Sequence, residues 1–300
     1  MKVMLPVAMT DGMLVSSTEP ETEHPAYNAG TTYADGANVI KDHRRYESLQ
    51  AGNTGNDPAT ASAWWLDIGP TNQWAMFDQR VNTVTTAAAS TLTVRIEPGT
   101  IINALALIEC ACESARVRFY DAGGALVYDQ ARSLDQTTIG DWLEYLTAEY
   151  YWITEAVFEN LPPISGGELR VDLTSAAASP KPTLGNLAFG RVYEIGDALY
   201  GARVGITDYS RKSTDAFGVT SLLQRDYSRR MSLTVVVQSA MLRRVYQLLA
   251  SLRATPCVWI GVDDLDIFTP LLVYGYYKDW GVVIEYSTHS VCTLDIEGMI

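Results

Sequence analysis

Apolar residues recur at helical spacing in one stretch of this chain, where Leu242, Val245, Leu248, Leu249 and Leu252 lie between Ser239 and Pro256. That spacing predicts a single amphipathic helix, with Ser239 as its N-cap and Pro256 as its stop. Elsewhere the apolar residues fall in short, often alternating runs rich in β-branched and aromatic side chains. They include Leu92–Ile96, Ala115–Tyr120, Ala125–Tyr128 after a Gly123-Gly124 turn, Glu168–Leu173, Met231–Val237, Cys257–Val262, Leu271–Tyr277, Val282–Tyr286 and Val291–Ile296. A period of two puts successive side chains on opposite faces of a sheet, so the chain is expected to be mainly β.

At 300 residues the chain exceeds the size at which one core stops growing, so two or three domains are expected. Residues 1–26 hold no periodic run of useful length, and Ser16 to His24 is polar and acidic, which reads as an N-terminal arm, either disordered or ordered by packing on a partner as is common in large assemblies. Residues 27–69, rich in Tyr, Gly and Asn, predict a small antiparallel β module. Residues 70–198 read as a β-sandwich, and residues 199–300 as an α+β domain with one helix on an antiparallel sheet.

The 22 basic and 35 acidic residues give a net charge of −13, which argues against nucleic acid as a partner. The charge is unevenly spread. Between Tyr200 and Thr255 nine basic residues face three acidic ones, a local +6, which leaves −19 on the remainder. This stretch reads either as a solvated surface or as a basic face that docks onto an acidic neighbour through complementary fields, and on the second reading Arg211, Lys212, Arg225, Arg229, Arg230, Arg243 and Arg244 are candidate subunit-interface residues.

Little in the chain suggests catalysis. The three histidines, His24, His43 and His289, are far apart, and Cys110, Cys112, Cys257 and Cys292 read as small buried apolar residues rather than as a metal or redox set. Asp263, Asp264 and Asp266 lack the spacing of a calcium loop and read as an acidic turn. No catalytic residue, metal ligand or cofactor is expected, and no apolar run approaches the ~20 residues of a membrane helix. The aromatic cluster Trp142, Tyr145, Tyr150, Tyr151, Trp152 and Phe158 reads as core, with an interface patch as the alternative.

Three resemblances add to this. The order A-Y-x-A-G-T-x-Y-x-x-G-x-x-V from Ala26, then R-x-Y-x-S-L, N-T-G-N-D-P and Trp64-Trp65, resembles small chitin- and cellulose-binding modules. It implies carbohydrate contacts from Tyr33, Tyr46 and Trp64, although the aromatic pair such modules carry after the equivalent of Tyr46 is missing from Glu47–Gly52. The segment Trp65–Asp78 is similar to the start of galactose-binding-like jelly rolls. The last hundred residues resemble a family of phage and prophage tail proteins, through G-I-T-D-Y-S-R-K-x-x-D-x-F-G at Gly205–Gly218, R-D-Y-S-R-R-M at Arg225–Met231, L-R-A-T-P-C-V-W-I-G at Leu252–Gly261, V-Y-G-Y-Y-K-D-W at Val273–Trp280 and D-I-E-G at Asp295–Gly298.

That last resemblance implies a distal-tail-like baseplate subunit that forms a homo-oligomeric ring or sleeve. Its partners would be copies of itself and other phage tail proteins, its assembly would take place in the host cytoplasm, and its final location would be the virion. Host-surface glycan binding by residues 27–198 is the alternative function.

Overall fold

A computed structural model describes residues 1–135, 141–143, 152–176, 179–262, 271–284 and 286–299. Tyr145, Tyr150 and Tyr151 of the aromatic cluster, and the acidic turn Asp263, Asp264 and Asp266, lie outside the described residues. The chain is mainly β, with several antiparallel sheets and the helix Leu242–Ser251.

The largest sheet runs, in spatial order, Ala156–Glu159, Ala104–Ala111, Thr183–Glu194, Lys2–Pro6, Cys257–Ile260, Leu272–Val283, His289–Gly298 and Tyr227–Gln238. The short strand Asp197–Ala198 and the strand Arg203–Asp208 both pair with the far edge of Tyr227–Gln238. One face of this sheet carries two cores side by side. Leu105, Leu107, Phe158, Leu187 and Phe189 pack against a second, five-stranded sheet that supplies Leu92, Val94, Val117, Phe119, Leu169 and Val171. This is the β-sandwich expected from the alternating runs. Farther along the same face, Val3, Trp259, Val273, Leu294, Met231 and Val235 pack on Val245 and Leu249 of the helix and on Leu252 just past its end.

The expectation of an arm over residues 1–26 is corrected at its start. Lys2–Pro6 is an interior strand, with Lys2 paired to Glu194 on one side and to Ile260 on the other. Val3 faces the helix-covered core, and Met4 lies in a third cluster on the opposite face with Ala106, Ala188, Val258 and Ile260. Both residues are fully buried. A strand covered on both faces reads as a short apolar run without alternation, so Lys2-Val3-Met4-Leu5-Pro6 gave no period-2 signal. Farther on, Leu14–Ser17 adds to the edge of the five-stranded sheet beside Thr91–Ile96.

This interior strand joins segments from either side of residue 198, so the sheet is continuous across the boundary that composition suggests. Three smaller expectations also change. Leu272–Val283 is one strand rather than two, with a register shift between Tyr277 and Asp279 that lets it stay paired to His289–Gly298. The residue preceding the helix is Met241, with no side-chain cap, so Ser239 is not the N-cap and sits in the turn before it. The strand beginning at Cys257 ends at Ile260.

Residues 27–69 contribute most of a separate three-stranded sheet, Asn38–Lys41, Arg44–Ser48 and Trp65–Pro70, around a core of Val39, Tyr46 and Trp65. Its first hairpin turns through Asp42 and His43, both at positive φ (49° and 61°). Two successive left-handed residues form the turn whose twist matches the flanking strands.

Candidate assembly interface

The first half of the basic segment picked out by sequence, residues 203 to 230, folds into a two-stranded ribbon. At its root Arg203–Asp208 pairs with Tyr227–Gln238, from Arg203 opposite Ser232 to Asp208 opposite Tyr227. The Asp208 carboxylate accepts the Ser210 N–H at 2.8 Å, and hydrogen bonding from the Ser210 side chain and backbone holds it below the usual carboxylate range. Ser210 Oγ in turn accepts the Arg225 N–H at 3.0 Å, joining the root to an outer hairpin, Arg211–Thr214 paired with Thr220–Leu223. The tip is Asp215-Ala216-Phe217-Gly218. Asp215 Oδ1 accepts from the N–H groups of Phe217 and Val219, and Gly218 takes φ 83°, which a side chain would resist.

The outer hairpin is solvent-facing along its length, yet the ribbon is strongly apolar. Phe217 is 93% exposed, Leu222 76% and Val219 65%, with Leu223, Ile206, Val204 and Tyr227 at half or more. An isolated two-stranded ribbon is marginally stable in water, and contiguous exposed apolar side chains mark an interaction site. Sequence reasoning found the charges and missed this apolar content. The available signal was Phe217, Val219, Leu222 and Leu223, four large apolar residues between Asp215 and Arg225.

The predicted interface residues separate into four groups. Arg211, Lys212 and Arg225 are exposed on the ribbon. Arg230 is exposed beside Gly205, in a shallow cleft that also holds Arg203, Lys278, Asp295 and Glu297. Arg243 and Arg244 are exposed on the helix, apart from the ribbon. Arg229 points inward, and its guanidinium meets the buried carboxylate of Glu155 at 2.6 Å and donates to Thr154 Oγ1 at 3.3 Å.

That contact reveals the shape of the large sheet. Tyr227–Gln238 is seven positions from Ala156–Glu159 in the strand order, about 34 Å in a flat sheet at ~4.8 Å per strand. The sheet must therefore roll until its two ends nearly meet. Along the seam lies a cleft of about 470 Å³ walled by Val81, Val84, Ile108, Tyr274 and Met299, with Glu109, Glu155, Asp226 and Arg229 as its charged groups. Burial pushes the Glu155 carboxyl up, opposed by Arg229, and pushes the Tyr274 hydroxyl up to about 12.

The candidate carbohydrate residues lie inside the small module. Tyr46 is buried and presents no ring face to a ligand. Tyr33 packs edge-on against Trp65 with centroids 5.2 Å apart, and its hydroxyl is held by the Asn28 backbone. Trp64 is half-buried at the margin, and the central tryptophan is Trp65, whose Nε1 donates to Asn56 O at 2.9 Å.

Among the described residues no three His, Cys, Asp or Glu side chains converge as a metal site, and no helix is long and apolar enough to cross a membrane. All four cysteines are free and buried. No family model and no curated protein matches this chain.

Proposed function

We propose that this chain is a structural subunit of a bacteriophage tail tip or baseplate, which assembles into a ring or sleeve and docks other tail proteins. The reading is carried by one observation. A ribbon spanning residues 203–230 projects from the rolled sheet with basic and large apolar side chains in water, a surface that is costly unless another polypeptide covers it. The tail-protein motifs lend support, since G-I-T-D-Y-S-R-K and R-D-Y-S-R-R-M are the two strands of this ribbon's root with its first basic residues. Assembly in the host cytoplasm and a final place in the virion belong to the same reading.

The test is the sedimentation behaviour of the full chain beside a variant in which residues 211–223 are replaced by a two-residue Asn-Gly turn. The full chain should form a defined oligomer, and the shortened variant should be a monomer with an unchanged far-ultraviolet spectrum. A full chain that stays monomeric at high concentration, and is absent from phage particles by mass spectrometry, would remove the reading.

A further inference from the structure

We infer that the tip of the ribbon, with Phe217 at its apex, inserts into the seam cleft of a second copy of the same chain. This rests on the assembly reading and names the surface that receives the ribbon. Three observations converge on it. The first is size and chemistry. The cleft's volume of about 470 Å³ lies within the range of pockets that enclose a small ligand, and its apolar wall is formed by Val81, Val84, Ile108, Tyr274 and Met299. Val84 is 43% exposed on that wall, and Phe217 is the most exposed phenyl ring among the described residues.

The second is charge. From Tyr209 to Arg225 the ribbon carries Arg211, Lys212 and Arg225 against Asp215, a net +2. The cleft carries Glu109, Glu155 and Asp226 against Arg229, a net −2. Because Arg229 already neutralises Glu155 at 2.6 Å, Glu109 and Asp226 are the carboxylates left to meet incoming cations.

The third is geometry within one copy. Asp226 and Tyr227, at the root of the ribbon, also line the cleft, so the ribbon leaves from the cleft's own rim. Its tip stands eight residues beyond Tyr209, about 26 Å at ~3.3 Å per residue. Phe217 is 93% exposed, so the tip stands clear of the cleft of its own copy. Each copy then gives a tip at one place and receives one at another, a head-to-tail contact that closes into a ring or continues as a helical stack.

The experiment uses the full chain in a mixture of ¹⁴N- and ¹⁵N-labelled copies, treated with a zero-length carbodiimide cross-linker and analysed by mass spectrometry. Mixed-isotope links between Lys212 and Glu109 are expected. Phe217→Ala should weaken association at least about 30-fold, as for a buried aromatic anchor. The single changes Lys212→Glu and Glu109→Lys should each weaken it, and the two together should recover much of the loss. Phe217 and Lys212 are exposed, so folding of their variants is checked by an unchanged far-ultraviolet spectrum and by an unchanged thermal midpoint at a dilution where the parent is also monomeric. An oligomer that forms without those links and is indifferent to Phe217→Ala would overturn this inference while leaving the assembly reading intact. Mixed-isotope links from Lys212 only to carboxylates outside the cleft would overturn it as well, and a monomeric chain would remove both.

Discussion

Removing the Arg229 guanidinium should expose how much the rolled sheet depends on its seam. In Arg229→Ala the Glu155 side chain, 5% exposed, keeps its place between the two ends of the sheet and loses its cation. Breaking a buried pair from one side costs about 3–5 kcal/mol. The lower end applies, because the Arg229 side chain is itself 29% exposed and the cleft admits water, so a loss of about 3 kcal/mol is expected. Glu155→Gln removes the buried charge instead of stranding it, and Arg229→Ala combined with Glu155→Gln should recover most of the loss. Urea midpoints for the three variants and the parent give this double-mutant cycle. Acidity adds a second handle. Burial sets the folded Glu155 carboxyl above its ordinary 4.5, so the native state binds the extra proton and stability falls as pH rises from 4.5 through the folded value. Relative to Glu155→Gln, the parent should therefore gain stability on acidification across that window. An Arg229→Ala protein within about 0.5 kcal/mol of the parent, or a double variant no better than the single, would refute a seam held by this pair.

Met4→Ala should cost about 3 kcal/mol, because a fully buried methionine leaves a cavity between strands that cannot close on it, and an equilibrium urea curve would show it. The same change should lower the stability of both cores together, so tryptophan fluorescence and far-ultraviolet transitions should stay coincident. The four thiols should resist a thiol reagent at pH 8 in the folded protein and react fully in denaturant. Burial supports this, and it pushes Cys257 up to about 12 and Cys292 up to about 11. A fast-reacting native thiol would contradict that burial.

The sequence revealed those elements whose pattern is local. The helix is visible because Val245 and Leu249 must both face the sheet one turn apart, and the sandwich strands are visible because Leu92, Val94 and Ile96 alternate with polar residues that face water. The small module shows itself through Tyr46 and its turns, although neighbouring Trp64 and Trp65 cannot be ranked from sequence, since only the pleat decides which one enters the core. The N-terminal strand was hidden by the opposite circumstance. Its two neighbours lie at residues 190–194 and 258–260, far along the chain, and covering on both faces removes any alternation. At the candidate interface the excess of arginine marked the right segment, yet Arg229 could not be separated from Arg211 or Arg225. Its partner, Glu155, is brought near only by the rolling of a sheet whose strand order is not written locally.

The placement of Lys2–Pro6 also sets a schedule for synthesis. These residues cannot take up their position until the chain has been made through residue 260, because Lys2 needs both Glu194 and Ile260 beside it. At ~5–20 residues per second, that wait is on the order of tens of seconds. Both edges of this apolar strand stay open on the nascent chain until residue 194 has been made and one edge until residue 260, so the rate of translation up to residue 260 governs how long the protein is exposed to aggregation.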